Sequence, residues 1–472
     1  MTLILSLLLA AADPTARPAV DPVVEAALAS AGPGTRIGLV VTDDQGREIV
    51  AIRPDDRFVP ASNTKIFTTA AAFALLDTGS ADGGGGATVR LDGNDVVLSG
   101  HGDARLSSAP DCVTDCLAQL AKAVAARTRV VHDVVGDDSA FPDERWPQGM
   151  SWNNMPSRYG TAISALTIDD DVATITVVPG KAGAAPTIAG DGYYRIDNRA
   201  TTIGTKVTLN VTRDPNSDLL RVTGTIPVDH GPETLAFAID DPAHRAAWRL
   251  AAALRSLGVR VTGTVAVRHR PLSESDDPTK RGLAPPPRPQ DPPVLARLTT
   301  QPLVDDLRLT NKVSQNLHAE LLLRRIGALA GTGSVADGQK AVRAMLDGAG
   351  VDRWSYDFAD GAGMSNYNRL TPRAAVRFLR WTQTQPWGAA WRDTLPVGGL
   401  DGTLARRFRG TPLDRKLFAK TGTINAANAL SGFLTAASGR TLVFSALAND
   451  MPGDASATSA VDKALLAVAA AN

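Results

Sequence analysis

The sequence lacks the features that mark several large classes of protein. Only two cysteines and six histidines occur in 472 residues, and no His-Glu-x-x-His or Cys-x-x-Cys spacing predicts a metal site. Basic and acidic residues balance at 49 each, which argues against a nucleic-acid-binding protein, since such proteins usually carry a basic excess. No internal repeat is apparent, and no second long hydrophobic run follows the one at the N-terminus.

The composition that is present is typical of a folded, soluble protein. Hydrophobic residues make up 44% of the chain, and the mean hydropathy is near zero. At 472 residues the chain is long enough for two or three domains with sizeable cores.

Residues 1–12 predict a signal peptide. An apolar run from Leu3 to Leu9, too short to span a bilayer, is followed by Ala10 to Ala12, an A-x-A-type cleavage site. No Lys or Arg precedes the run, and the alternative is a buried N-terminal strand. In an exported protein, Cys112 and Cys116 are expected to form a disulfide, whereas in a cytosolic protein they would suggest thiols or metal binding.

The order of predicted elements indicates an α+β protein. Strands at residues 36–43 and 47–52 form a predicted hairpin, and a helix follows from residue 62. Short strands dominate from residue 89 to 267 and helices from 303 to 384, before a final hairpin and helix. We therefore predict an antiparallel sheet that is built from both chain ends and covered by helices, with a large strand-rich insert.

The stretch VPASNTKIFTTAAA, from Val59, combines a serine with a lysine at the start of a predicted helix. Residues i and i+3 are neighbours on a helix, so Lys65 can place its amine beside the hydroxyl of Ser62. A lysine needs this position to act as the base toward a serine nucleophile. The motif alone is a weak signal, because serine is a common helix N-cap and lysine is usually solvated.

Two further motifs make the catalytic interpretation specific. Ser314–Asn316 reads Ser-Gln-Asn before a predicted helix, and Lys420–Thr423 reads Lys-Thr-Gly-Thr within a predicted strand. Ser-x-x-Lys, Ser-x-Asn and Lys-Thr-Gly are the three motifs of penicillin-binding proteins and class A β-lactamases. Three motifs in this order, each in the expected local structure, are hard to obtain by chance.

The chemistry assigns a role to each group. Ser62 is the predicted nucleophile and Lys65 its base, because burial and the nearby charge of Lys420 would both lower the pKa of the Lys65 amine. Ser314 can pass the proton to the leaving amine, and Asn316 can orient Lys65 and bind the substrate amide. Lys420 and the hydroxyls of Thr421 and Thr423 are predicted to bind a substrate carboxylate, and Gly422 is predicted to keep the strand edge open. The backbone N–H groups of Ser62 and Thr423 are predicted to form an oxyanion hole.

With these motifs the sequence resembles the penicillin-binding protein 4-type D-alanyl-D-alanine carboxypeptidases, serine enzymes that trim or cleave peptidoglycan peptides. The resemblance covers nearly the whole chain after the leader and includes GHGDARLSS, VVGDDSAF, YGTAISALTID, NKVSQNLHAE, DGAGMSNYNRLTP and LPVGGLDGTL. It implies an acyl-enzyme on Ser62, inhibition by β-lactams, and no cofactor. It also implies an extracytoplasmic location, in the cell wall or periplasmic space, and leaves association with a membrane surface open.

The resemblance further implies a transpeptidase-like catalytic domain that carries two inserted domains. The predicted boundaries are 20–85 and 296–472 for the catalytic domain, 86–163 and 233–270 for domain II, 164–232 for domain III, and 271–295 for a proline-rich linker. The β-lactamases lack such an insert between the first and second motifs.

Some residues depart from the family pattern. Asn153 and Asn154 stand where similar enzymes usually carry an acidic residue that faces the free amino end of the peptide side chain. Ala362 and Asn366 stand where Ser and Arg are frequent. These differences leave the acyl-transfer groups intact and put the usual preference for a diaminopimelate end in doubt.

Other polar and aromatic residues have structural interpretations. Asp360 and Asp401 fit Asp-Gly turns, and His318 fits a helix position better than a metal ligand. Trp152 and Tyr159 fit either a substrate cleft or core packing.

Two alternatives to a carboxypeptidase stay open at this point. A β-lactamase-like hydrolase would share the motifs but release penicillin quickly, and a non-catalytic peptidoglycan-binding relative would keep the fold without turnover. A D,D-endopeptidase activity on peptidoglycan crosslinks is an additional activity that the resemblance implies.

Overall fold

The computed structural model describes residues 21–282, 284–286 and 292–472. The predicted leader at 1–12 and part of the predicted linker at 271–295 lie outside these ranges. Within the described ranges, no helix is both long enough and apolar enough to cross a membrane.

Strands dominate the first half of the described chain, and helices are concentrated between residues 303 and 392. The α-helices are α1 (Pro22–Ala29), α2 (Thr64–Leu75), α3 (Leu117–Arg127), α4 (Pro242–Ser256), α5 (Leu303–Lys312), α6 (Asn316–Ala330), α7 (Val335–Gly348), α8 (Pro372–Thr382), α9 (Gly388–Arg392) and α10 (Thr458–Ala471). The β-strands are β1 (Arg36–Thr42), β2 (Glu48–Ile52), β3 (Thr88–Asp92), β4 (Asp95–Ser99), β5 (Val130–Val131), β6 (Val134–Pro142), β7 (Val172–Val178), β8 (Thr187–Ala189), β9 (Arg195–Asn198), β10 (Thr201–Thr202), β11 (Asn210–Thr212), β12 (Leu219–Thr223), β13 (Thr225–Ile226), β14 (Glu233–Ala238), β15 (Arg260–Val261), β16 (Val265–Arg270), β17 (Ala296–Arg297), β18 (Tyr356–Asp357), β19 (Arg369–Leu370), β20 (Leu417–Ile424), β21 (Ala427–Thr435) and β22 (Thr441–Asn449).

The central sheet is antiparallel and takes its strands from both ends of the chain, in the order β2-β1-β22-β21-β20. Neighbouring residues of β1 face opposite sides: Val40 packs in a core with Phe67 and Phe378, whereas Leu39 packs in a core with Leu465. Helices α2 and α8 therefore cover one face, and α1 and α10 cover the other. If β1 shifted by one residue against its neighbouring strands, its side chains would exchange faces. The two cores therefore specify the pairing register of β1 in the sheet. The predicted fold class is confirmed.

The insert has two hydrophobic cores of its own. In the larger part, a sheet in the order β16-β6-β4-β3-β17 packs against α3 and α4 around Leu98 and Leu250. In the smaller part, short strands surround a core that contains Val177 and Leu220. The domain boundaries stay a prediction; because β14 pairs with β7 along its length, we propose that domain III extends through β14.

A disulfide joins Cys112 and Cys116, as predicted. Cys116 directly precedes the first residue of α3, so the bridge anchors the entry to that helix. The carboxyl group of Asp115, within the closed loop, is buried, and burial raises its pKa.

Candidate active site

Ser62 lies in a single 3₁₀ turn, Ala61–Asn63, that leads directly into α2. Ala61 has a φ of +47°, which a residue with a β-carbon rarely adopts, so this turn is strained. The side-chain amide of Asn63 donates to the carbonyl oxygen of Lys420 at 2.9 Å and holds the turn against β20. Ser62 remains partly exposed at the end of a buried helix, where a ligand can reach its hydroxyl.

The amine of Lys65 is fully buried and has three oxygen neighbours. Its Nζ lies 2.9 Å from Ser62 Oγ, 2.6 Å from Asn316 Oδ1 and 2.6 Å from the carbonyl oxygen of Ala362. A neutral amine has two N–H groups and one lone pair. Asn316 and Ala362 can therefore accept both N–H groups, which leaves the lone pair to accept the proton of the Ser62 hydroxyl.

Burial also changes the protonation of the two lysines of the site. Burial lowers the pKa of the Lys65 amine to about 7, although the carboxylates of Asp360 and Glu320 act in the opposite direction. Burial and the charge of Asp360 raise the pKa of Glu320 to about 7, which weakens the counter-charge near the lysine. For Lys420, burial and the charge of Lys65 hold the pKa well below its usual range. The sequence suggested that repulsion between the two amines would lower the pKa of Lys65; in the structure it lowers the pKa of Lys420 instead.

The second and third motifs meet each other across the site. Lys420 Nζ donates to Ser314 Oγ at 2.8 Å and to the carbonyl oxygen of Thr421 at 3.0 Å. Ser314 has a φ of +64° in the tight turn between α5 and α6, and Asn316 is the first residue of α6. The structure therefore brings together all five predicted catalytic side chains. Ser62, Lys65 and Asn316 form one hydrogen-bonded set, and Lys420 and Ser314 form the other.

Strand β20 carries the Lys-Thr-Gly motif past the serine. A β-carbon added at Gly422 would lie 2.8 Å from the carbonyl oxygen of Pro60 and 3.1 Å from the backbone nitrogen of Ser62, so this approach requires glycine. Strand β20 is the last strand of its sheet, and such an edge can pair with an extended peptide. Thr423 is exposed and Thr421 partly exposed, which leaves both side chains accessible to a ligand.

The insert supplies one wall of the site. The side-chain amide of Asn316 donates to the carbonyl oxygen of Tyr159 at 2.8 Å, and the backbone N–H of Asn366 donates to the carbonyl oxygen of Gly149 at 2.9 Å. Trp152 and Tyr159 are 74% and 61% exposed, which excludes core packing for both. The insert loop thus lies beside the predicted catalytic groups with its aromatic side chains exposed.

Sequence reasoning missed the groups that position the carbonyl facing Lys65, the predicted base. The carboxylate of Glu320 accepts the backbone N–H groups of Gly361 and Ala362 at 2.9 and 2.7 Å. Asp360 accepts backbone N–H groups within its own loop, which agrees with its predicted turn role. Glu320 follows Asn316 by four positions on α6, so a buried glutamate on the same helix face was the available signal.

His318 and Asp401 make the structural contacts expected of them. His318 is buried between Asp306 at 2.5 Å and Asp170 at 2.9 Å, and these carboxylates raise its pKa to about 10 against the lowering effect of burial. Asp401 forms an ion pair with Lys312, with 2.7 Å between the carboxylate oxygen and the amine nitrogen. Neither residue contacts the serine.

Comparison with known proteins shows the family of this chain. Residues 23–472 match the sequence profile of the D-Ala-D-Ala carboxypeptidase 3 (S13) family. The chain belongs to this family. The membership confirms the resemblance stated from the motifs.

Two curated relatives of this S13 family member align over most of its length. The D-alanyl-D-alanine carboxypeptidase of Actinomadura sp. (strain R39) is 34% identical over 464 residues, which cover 92% of this chain and 80% of the relative. The D-alanyl-D-alanine carboxypeptidase DacB of Haemophilus influenzae is 25% identical over 438 residues, which cover 87% of this chain and 85% of the relative.

A solved structure shares the fold of the S13 family member. The crystal structure of penicillin binding protein 4 (dacB) from Haemophilus influenzae superposes with a TM-score of 0.79 and 21% identity, covering 95% of this chain and 99% of that chain. A complex of the same protein with a novel beta-lactam superposes with a TM-score of 0.73. At this level of identity the likeness shows the common fold and nothing finer.

Proposed function

We propose that this S13 family member is a serine D-alanyl-D-alanine carboxypeptidase that acts on peptidoglycan stem peptides through an acyl-enzyme on Ser62. The observation that carries the proposal is the Lys65 amine, which lies 2.9 Å from Ser62 Oγ and has a pKa of about 7. A lysine with its ordinary pKa of about 10.4 would be almost fully charged at neutral pH and could not accept the hydroxyl proton. The relatives named D-alanyl-D-alanine carboxypeptidases support the same assignment.

Substrate binding uses the edge of β20. The carboxylate of the terminal D-alanine lies against Lys420 and the hydroxyls of Thr421 and Thr423, while the peptide extends along the strand past Gly422. A carboxylate beside Lys420 favours its charged form, and that charge opposes protonation of nearby Lys65. Binding of the correct ligand therefore keeps the catalytic base neutral.

In the acylation step, Ser62 Oγ bonds to the carbonyl carbon of the penultimate D-alanine while Lys65 takes the hydroxyl proton. The backbone N–H groups of Ser62 and Thr423 stabilise the oxyanion of the tetrahedral intermediate. The C–N bond then breaks, and the proton held by Lys65 passes through Ser314 to the leaving amine. Free D-alanine departs, and Lys65 is neutral again. Asn316 holds Lys65 in place and binds the substrate amide throughout.

In the deacylation step, a water molecule attacks the ester carbonyl and passes one proton to Lys65. The ester bond to Ser62 breaks, the proton returns to the serine oxygen, and the shortened peptide leaves with a new carboxyl group. Penicillins follow the first step, because their strained amide acylates Ser62, but the opened ring keeps the leaving amine attached to the ester.

The proposed place of action is outside the cytoplasm, on peptidoglycan. The disulfide between Cys112 and Cys116 supports an oxidising compartment, where such bonds persist. Peptidoglycan peptides are the proposed partners, and β-lactams the proposed inhibitors. The penicillin binding protein 4 complex with a beta-lactam supports the second assignment.

The test is incubation with a penicillin, followed by intact mass with time. We expect a long-lived increase by the mass of one penicillin in the wild type and in Ser80→Ala, an exposed serine control, and no increase in Ser62→Ala. Release of D-alanine from a peptide ending in D-Ala-D-Ala should follow the same pattern. A short-lived adduct with rapid penicillin hydrolysis would instead favour the β-lactamase alternative, and the absence of any adduct would contradict acyl transfer at Ser62.

A further inference from the structure

A second cleft, of about 860 Å³, opens between the insert and the catalytic domain. Its volume is within the range of ligand-binding clefts, about 300–1,000 Å³. Trp146 and Gln148 of the larger part of the insert, Asn216 of the smaller part, and Gln339 and Tyr367 of the catalytic domain all line it. None of the catalytic side chains lines this cleft, so it is separate from the serine site.

The cleft presents neutral hydrogen-bonding groups. Among the residues described by the structure, the side-chain amides of Gln148, Asn216 and Gln339 and the hydroxyl of Tyr367 make no hydrogen bond to the protein. Amide groups both donate and accept, and a phenol hydroxyl does the same. These four groups can therefore bind a ligand rich in hydroxyl groups.

The charged groups that line the cleft are already paired. The carboxylate of Glu144 accepts from Arg324 at 2.6 Å and from the backbone N–H of Val335 at 3.0 Å. Arg145 donates to Asp143 at 2.9 Å and pairs with Asp241 at 3.3 Å. At the rim, Asp357 lies 3.5 Å from Arg353 and 3.8 Å from Arg57. Because these charges are matched within the protein, the cleft favours a neutral ligand over an ionic one.

Two aromatic side chains are held in place beside these polar groups. The ring of Tyr367 is 64% exposed and lies over Gly149, where a β-carbon would come within 2.7 Å of Tyr367 Cγ. The indole N–H of Trp146 donates to the carbonyl oxygen of Gly160 at 2.9 Å. Fixed aromatic faces offer apolar contact to the C–H faces of sugar rings, while amides bind their hydroxyl groups.

The loop around residues 359–367 borders both the cleft and the serine site. Ala359 and Tyr367 line the cleft, whereas the carbonyl oxygen of Ala362 lies 2.6 Å from the amine of Lys65. Ala362 and Tyr367 are five positions apart, so their Cα atoms lie no more than about 18 Å from each other. An extended peptide of four residues spans roughly 13–14 Å. The span of such a peptide is thus of the same order as the separation between Tyr367, in the cleft, and Ala362, whose carbonyl oxygen contacts Lys65.

We infer that this cleft binds a neutral oligosaccharide, namely the glycan strand that carries the stem peptide. The chemistry of the cleft indicates a sugar, and the choice of the peptidoglycan glycan rests on the proposed function. The cleft would hold the glycan while the β20 edge holds the peptide, so that one substrate occupies both sites.

The experiment uses a tetramer of N-acetylglucosamine, a neutral oligosaccharide without a peptide, titrated into the full chain by calorimetry. We expect saturable binding in the wild type and an affinity at least fivefold weaker in Tyr367→Ala and in Gln339→Ala. Trp354→Ala and Gln45→Ala are the matched controls, since both residues are exposed and neither lines the cleft, and their affinity should equal that of the wild type. Melting temperatures establish that every variant is folded.

Absence of saturable binding in the wild type would overturn the inference, as would unchanged affinity in both cleft variants or an equal loss in the controls. Displacement of the sugar by a stem peptide that carries no sugar would also overturn it, by showing a peptide site. Penicillin acylation of the same wild-type sample tests the proposed function separately. Acylation without sugar binding would overturn the cleft inference alone. Sugar binding without acylation would overturn the catalytic proposal, and with it the choice of the peptidoglycan glycan, and would leave a sugar-binding cleft.

Discussion

Lys65 and His318 are both buried basic side chains, yet their pKa values move in opposite directions. The side chain of Lys65 is 0% exposed and its pKa falls to about 7, whereas that of His318 is 1% exposed and its pKa rises to about 10. Burial disfavours the charged form of each. The difference therefore comes from the partners and not from the depth.

The partners explain the two outcomes. Lys65 is hydrogen-bonded to a hydroxyl, an amide oxygen and a backbone carbonyl, all of them neutral. His318 is hydrogen-bonded to two carboxylates, Asp306 on α5 and Asp170 in the insert. A side chain that acts as a base must be unprotonated before the reaction. A buried ion pair, by contrast, holds two parts of the chain together only while both partners are charged. The first arrangement suits catalysis and the second suits assembly.

The largest expected effect comes from removing the amine of Lys65. Lys65→Met should slow acylation by penicillin about 10²- to 10⁴-fold, the usual contribution of a general base. The measurement is the acylation rate with a fluorescent penicillin, and Lys340→Met, at an exposed lysine, is the control that should keep the wild-type rate. A rate within tenfold of the wild type in Lys65→Met would mean that another group accepts the proton.

The next effect concerns stability at the His318 ion pair. His318→Asn should lower the free energy of unfolding by about 2–4 kcal/mol, because Asp306 would remain buried with the more distant Arg105, at 3.4 Å, as its cationic partner. Urea unfolding measures the change, and His132→Asn, at a largely exposed histidine, should differ from the wild type by less than about 0.5 kcal/mol.

The pH dependence of that difference has a definite sign. The folded pKa of His318, about 10, exceeds the unfolded value of about 6.5, so its stabilising contribution is complete below about pH 6.5 and is lost as the pH rises toward 10. The gap between wild type and His318→Asn should therefore be larger at pH 6 than at pH 9.5. Equal gaps at the two pH values would show that packing, and not charge, makes His318 important.

A smaller effect is expected in the pH profile of acylation. In the proposed mechanism the neutral form of Lys65 is the base, and its pKa is about 7, so the wild-type rate should fall about tenfold for each pH unit below 7 and level off above it. Acylation rates between pH 5 and 9, with circular dichroism to show that the fold persists, test this. A profile flat from pH 5 to 8 would mean that the lysine does not act as the base.

The smallest effect should come from Glu320→Gln. The glutamine keeps an oxygen that can accept the N–H groups of Gly361 and Ala362 but removes a charge that raises the pKa of Lys65. The midpoint of the acylation profile should therefore move to lower pH, by less than one unit. Asp305→Asn, at a partly exposed carboxylate on α5, is the matched control and should leave the midpoint in place. A shift to higher pH would contradict the assigned electrostatics.

Much of the fold was predictable because its signals are local. The hairpin of β1 and β2, the helix after Ser62 and the final hairpin and helix follow from hydrophobic periodicity and turn residues over short stretches. The pairing of β14 with β7 was less predictable, since it joins strands about 60 residues apart and leaves little local trace.

The candidate site divides in the same way. Ser62 and Lys65 were predictable as a pair because one helical turn places them together, and the motif order identified Ser314, Asn316 and Lys420. The roles of Ala362 and Glu320 were not predictable, because a backbone carbonyl has no sequence signature and a glutamate inside an apolar helix has many explanations. The exposure of Trp152 and Tyr159 also depended on how the insert folds over the catalytic domain.

The sequence by itself determined the family and the α+β class and predicted the reacting groups, since these depend on residue types at short fixed spacings. Only the tertiary structure decided what the Lys65 amine can do. Its hydrogen-bond acceptors, Asn316 and Ala362, lie 251 and 297 positions away along the chain. Its pKa depends on complete burial among neutral oxygens, which exists only when the sheet, the helices and the insert have assembled around it.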